Sequence, residues 1–143
     1  MEESREDRAS RRHNDLYAGP GEEFRKCAEL LRLAPGDSVA DFGCGNGDFL
    51  AEVLKTAGHA VGVDPSRSRL ERAALRFKGE ARVKLANSPL LAFDPEGETF
   101  TKGFARKALH GLTDREKNLF FAKIGKSFAP KALFLVEDFI FDF

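Results

Sequence analysis

The 143 residues, 42% of them apolar, suffice for one domain around a single core, and Lys plus Arg balance Asp plus Glu at 23 each, so no global field recruits nucleic acid or a membrane surface. No apolar run reaches bilayer-spanning length, and no secretory signal opens the chain. Cys27 and Cys44 form neither a disulfide framework nor, with the histidines, a cluster at metal-ligand spacing, so reduced thiols in a cytoplasmic protein are expected.

Met1 to Asp15 is a mixed-charge segment with almost nothing apolar, expected as a mobile arm or frayed helix ahead of a domain at 16–143. Glu22 to Leu33 reads as an amphipathic helix through Phe24, Cys27, Leu30 and Leu31. Pro35-Gly36-Asp37 breaks it and feeds an apolar strand, Val39 to Phe42. That strand runs into glycines on alternate positions, Gly43, Gly45 and Gly47, and a helix follows at once from Asp48 to Ala57. His59 to Val63 reads as a second buried strand that ends on Asp64. A helix from Arg67 to Lys78 carries Arg67, Arg69, Arg72 and Arg76, as an RNA-contacting stripe or, more commonly for such a pattern, a solvated face; charge balance argues against nucleic acid. Strands are expected at Arg82–Asn87 and Thr99–Ala105. A capping box at Thr113 and Glu116 opens a helix running through Leu119, Phe120 and Ile124 as far as Pro130. Lys131 to Phe139 supplies the last strand. Such alternation implies an α/β fold with a parallel sheet.

The strand, glycine turn and helix at residues 39–57 open a nucleotide-binding α/β unit, in which bare backbone lets a ligand approach closely. Two features disfavour a dinucleotide. The third glycine of that fingerprint would fall where Asp48 stands, and Asp48 would share the helix end with a diphosphate and repel it. Asp41, two residues before Gly43, adds a second carboxylate, so the turn suits a ligand with positive or neutral groups. Asp64 lies about twenty residues beyond the first glycine, where such folds place an acid on ribose hydroxyls. Asp64 could otherwise cap the next helix, with Ser66 as competitor.

Val39-Ala-Asp-Phe-Gly-Cys-Gly-Asn-Gly47 and Val61-Gly-Val-Asp-Pro-Ser66 resemble the first two motifs of class I S-adenosylmethionine-dependent methyltransferases, over roughly Tyr17 to Phe143. The resemblance implies a Rossmann-like open, mainly parallel sheet of order 3-2-1-4-5 with helices on both faces. It implies S-adenosyl-L-methionine as cofactor, with Gly43, Cys44, Gly45, Asn46 and Gly47 along its methionine and ribose portion. Asp41 would lie near the amino group, and Asp64, followed by Pro65, would bind the ribose hydroxyls. Asn87 and Ser88, after the third strand, stand where the family holds the adenine amino group. Phe104 to His110, with Arg106, follow the fourth strand, where the family lines cofactor and substrate. His110 is a candidate proton carrier, or an ordinary histidine ahead of a helix cap. Tyr17 rests on the resemblance alone, as a residue covering the cofactor, against a packing contact. The Asn-Pro-Pro-aromatic signature of amino methyltransferases is absent, which disfavours adenine or a glutamine amide as acceptor.

Two departures stand out. The family usually has Pro-Gly-Gly before strand 5, where this chain reads Pro130-Lys131-Ala132. Strands 6 and 7 have no counterpart in the sequence, so the fifth strand, with Phe139, Phe141 and Phe143 alternating, would be an open apolar edge. A truncated gene, a homodimer formed across this edge or a partner chain that supplies the missing strands would each account for it. The first functional reading is therefore methyl transfer to an unidentified acceptor. The alternative is a cofactor-binding but catalytically incomplete domain that serves a partner. An NAD-dependent oxidoreductase comes third, disfavoured by the carboxylates.

Overall fold

The protein is described from a computed structural model covering residues 21–139. The expected arm, Tyr17, Phe141 and Phe143 lie outside the described residues. The elements in chain order are α1 (Gly21–Leu30), β1 (Ser38–Phe42), α2 (Asp48–Val53), β2 (His59–Asp64), α3 (Arg67–Arg76), β3 (Val83–Asn87), a 3-10 turn (Leu90–Ala92), β4 (Phe100–Arg106), α4 (Asp114–Gly125) and β5 (Phe128–Glu137). The strands form one five-stranded sheet in the order β3-β2-β1-β4-β5, with every pairing parallel. This is the expected order.

β1 sits at the centre because its residues tolerate burial on both faces, as inner strands of a parallel sheet must. Ala40 pairs with Val61 of β2 on one side and Gly103 of β4 on the other. The chain steps outward from β1 to β2 and β3, then crosses back to β4 beside β1. This reversal opens a crevice at the carboxyl ends of β1 and β4, where ligands bind in open α/β sheets.

Two apolar layers flank the sheet. On one face Leu31, Val39, Phe49, Leu50, Val53 and Leu70 join α1, α2 and α3 to the strands. On the other, Phe42 gathers Phe93, Phe120 and Phe134 at ring centroids of 5.8, 5.0 and 5.8 Å. Phe49 stacks on Phe104 at 3.8 Å. Each fully buried ring contributes on the order of 1.5–3 kcal/mol, so phenylalanine carries much of this core.

Several boundaries differ from the sequence reading: α2 ends at Val53 and not Ala57, and β5 ends at Glu137 and not Phe139. α1 stops at Leu30 because Arg32 turns left-handed, at φ 53°. α4 stops at Gly125, five residues short of Pro130, and β5 starts at Phe128. Pro130 therefore lies inside a strand rather than ending a helix. An edge strand accepts proline at a bulge. The register jumps there, from Phe100 opposite Phe128 to Lys102 opposite Leu133, and Lys131 takes φ 64°. The Thr113 cap is also half as expected. Its hydroxyl accepts the Glu116 amide at 3.1 Å, but the Glu116 carboxylate turns to the Thr113 hydroxyl at 3.0 Å and not to its amide.

Candidate functional site at the glycine turn

The turn from Gly43 to Gly47 exists because three residues take positive φ, at 83°, 55° and 88°, which side chains oppose. Gly43 and Cys44 donate their amides to the Val63 carbonyl, at 2.7 and 3.0 Å, and so anchor the turn on the end of β2. The Asp64 carboxylate locks it from above. Its Oδ2 accepts the Gly45 N–H and its Oδ1 the Ser66 N–H, both at 2.8 Å. Asp64 is thus not the cap of α3. Ser66 is, with its hydroxyl accepting the Arg69 amide at 3.4 Å. The Cys44 side chain faces inward against Gly62 and Leu50, and burial raises its thiol pKa, so it offers a ligand only backbone.

Electrostatics at the turn depart from the sequence argument in three ways. Asp41 is buried, and desolvation followed by the neighbouring Asp64 pushes its carboxyl up to about 8. It is a neutral acid at pH 7, not a second anion. Asp48 faces solvent and pairs with Arg76 at 2.6 Å, which takes its charge away from the turn. Arg69 turns inward, so that a Cβ on Gly45 would overlap its guanidinium. Its proximity opposes the upward push on Asp41, and its Nε is buried with no hydrogen-bond partner among the described residues. The helical stripe accordingly breaks up, with Arg67 paired to Glu71 at 3.0 Å and Arg76 to Asp48. Arg69 is the participant that sequence reading missed as a site residue.

The remaining candidates are spread along the same edge. Asn46 Oδ1 is buried in the turn without a partner among the described residues. Pro65, which follows Asp64, is exposed. Asn87 donates its side-chain amide to the Asp64 carbonyl at 3.0 Å, and Ser88 donates its backbone amide to the same oxygen at 3.1 Å. The end of β3 is thereby fastened to the end of β2. Arg106 is committed elsewhere: it pairs with Glu23 of α1 and Glu137 of β5 and lies 5.1 Å from the Phe24 ring centre. This guanidinium ties elements together rather than facing the turn. Ala108 packs against Gly43, 2.7 Å from where a Cβ would stand, so the loop after β4 leans on the turn. Two residues on, His110 Nδ1 lies 2.9 Å from Asp138 Oδ1, just past β5. Asp138 was also missed, because the expected strand ran through it. An acid one step beyond the carboxyl end of a parallel strand was the available signal.

A family model described as a methyltransferase domain matches residues 39–131. The chain belongs to that family. Over 129 residues it is 25% identical to "Uncharacterized methyltransferase GK2543" of Geobacillus kaustophilus, covering 90% of this chain and 57% of that protein. The structure of CalS10, an amino pentose methyltransferase from Micromonospora echinaspora solved with S-adenosylmethionine bound, superposes at TM-score 0.75. That match covers 99% of this chain and 59% of the other, at 23% identity. YcgJ of Bacillus subtilis superposes at 0.73, with 17% identity, over 83% of this chain and 51% of the other. This methyltransferase domain thus spans a little over half the length of these three proteins. Among its described residues no helix is long and apolar enough to cross a membrane.

Proposed function

We propose that this domain binds S-adenosylmethionine at the glycine turn and transfers its methyl group to an acceptor at the carboxyl edge of β4 and β5. The observation that carries the reading is the Asp64 carboxylate clamped to the Gly45 amide, beside buried Asp41, at the point where strand order reverses. The residues fit the cofactor. Each Asp64 oxygen accepts one amide and keeps a lone pair for a ribose hydroxyl. Asn46 Oδ1 is an orphaned acceptor in the same turn, and Asp41 gains a reason to ionise when an ammonium comes to rest near it. The Arg69 guanidinium, on a flexible stem, has to swing away from Gly45 to admit the ligand.

The bound cofactor supplies a methyl group already activated by a sulfonium, so the protein's task is alignment and exclusion of water. Asp64 and the turn fix the nucleoside end, Asn87 and Ser88 shape the adenine side, and the loops after β4 and β5 present the acceptor. His110 is the group there able to carry a proton. A cytoplasmic setting belongs to the same proposal.

Titration calorimetry with S-adenosylmethionine, S-adenosylhomocysteine and NAD tests this reading. Binding of both sulfur compounds and not NAD is expected; binding of NAD alone would refute it. The second reading, a cofactor-binding domain that serves a partner, is favoured by Leu133 and Val136, exposed on the β5 edge. Under either reading that edge is proposed to pair with a second copy or another chain.

A further inference from the structure

We propose that Asp138 is a positioning residue that holds His110 as proton acceptor, so the methyl acceptor is an O–H or N–H nucleophile that must lose its proton. This inference rests on the methyl-transfer reading and names its substrate class.

The dyad is built rather than incidental. An exposed ion pair holds two mobile side chains for little gain. Here the carboxylate is fixed by backbone at both oxygens. Asp138 Oδ2 accepts the Leu109 amide at 3.0 Å, and Oδ1 accepts the Phe139 amide at 2.8 Å along with the His110 ring nitrogen. The Lys107 amide donates to the Glu137 carbonyl at 2.6 Å and joins the two loops a second time. The imidazole is held on a further side by the Phe139 ring, whose centre is 5.2 Å away at an interplanar angle of 79°. Orientation of the ring is therefore specified from two directions.

A carboxylate only accepts, so the proton between Nδ1 and Asp138 belongs to Nδ1. The lone pair then falls on Nε2, the nitrogen turned away from the carboxylate. This is the arrangement of a base oriented by a third group. The loop that carries it leans on the turn, because Ala108, two residues earlier, touches Gly43. Asp138 pairs with it directly; on the same two segments Lys107 holds its ammonium 5.4 Å from the Phe139 ring centre, and Arg106 pairs with Glu137 and Glu23. In the transfer, the acceptor heteroatom bonds to the methyl carbon while the carbon–sulfur electron pair remains on sulfur as a neutral thioether. The acceptor proton passes to His110 Nε2 and from there to water. A carboxylate or thioether acceptor has no proton to give and would leave this dyad without work.

Long-range proton–nitrogen NMR of the full chain reads the tautomer directly, with His110→Gln assigning the signal. At pH 8 the parent is expected to show protonated Nδ1 and bare Nε2, and Asp138→Ala to lose that preference. A parent protonated at Nε2, or an unchanged tautomer in Asp138→Ala, would overturn the proposal. Asp138→Asn keeps an acceptor for the loop amides and serves where the alanine variant fails to fold. Release of S-adenosylhomocysteine is then followed with p-cresol, benzylamine and benzoate as acceptors. Turnover of p-cresol or benzylamine that falls tenfold or more in kcat in Asp138→Asn, with the cofactor KM unchanged, supports it. Turnover of benzoate alone contradicts it. Calorimetry separates the two failures: a parent that binds no S-adenosylmethionine defeats the methyl-transfer reading while the tautomer result stands.

Discussion

Asp41 and Asp64 stand at the carboxyl ends of neighbouring strands and both are buried, yet they answer to different tests. The folded Asp41 carboxyl keeps its proton to about pH 8, against an ordinary value of 3.8. The native state then holds a proton that the unfolded chain has released, so stability falls as pH rises between those values. Asp41→Asn should flatten that fall and raise the Tm at pH 8 by roughly 3 °C or more. Affinity for S-adenosylmethionine should drop in the same variant, since an amide cannot ionise beside an ammonium. Thermal melts from pH 4 to 9, with and without cofactor, check both halves. Asp64 answers to a different test. Asp64→Ala should weaken cofactor binding by roughly 1–3 kcal/mol, because ribose hydroxyls lose a charged acceptor. Equal affinities by calorimetry would remove that role. The position of Asp64 was legible from spacing alone. The protonation of Asp41 was not, because it depends on what closes over the residue in space, and neither was Arg69, which a helical wheel assigns to solvent.

Among the elements, β5 departs furthest from its sequence reading, and Lys131 explains why. At φ 64° it occupies backbone space where a side chain costs about 1–2 kcal/mol, at the second position of the segment the resembled family fills with Pro-Gly-Gly. Lys131→Gly removes that strain but loosens the unfolded chain by roughly 0.5–1 kcal/mol. A net gain of about 0.5–1 kcal/mol is therefore expected in urea unfolding. A loss would mean that the lysine side chain holds the bulge. The strand's early start was hidden because Pro130 reads as a stop, and only the bulge makes it tolerable within an edge. α2, β2 and α3 were legible because periodicity, glycine and Ser66 agree with one another there. The reciprocal bond of the Thr113 cap was not, since either a hydroxyl or an amide satisfies the same carboxylate.

For the whole molecule, alternating strands and helices carried the parallel α/β class, because right-handed crossovers leave few topologies, while the strand order followed from the family resemblance. What covers the outer edges depends on groups beyond this sheet. Leu133 and Val136 stay 40% and 44% exposed on β5, and an open apolar edge invites pairing. Light scattering across a wide concentration range is expected to show association that Val136→Lys abolishes. A parent that remains monomeric throughout would dismiss self-pairing. The inward turn of Arg69 has a consequence of its own for the molecule as a population. If the cofactor rests on Gly45 as proposed, the guanidinium has to be displaced first, and measured affinity is then intrinsic affinity scaled by the displaced fraction. Arg69→Ala should therefore bind S-adenosylmethionine about fivefold tighter or better, whereas weaker binding would mean the guanidinium holds the ligand. On that proposal the third helix would tax the cofactor by a constant factor, since an arginine resting on Gly45 has to be displaced before an outside molecule takes the seat.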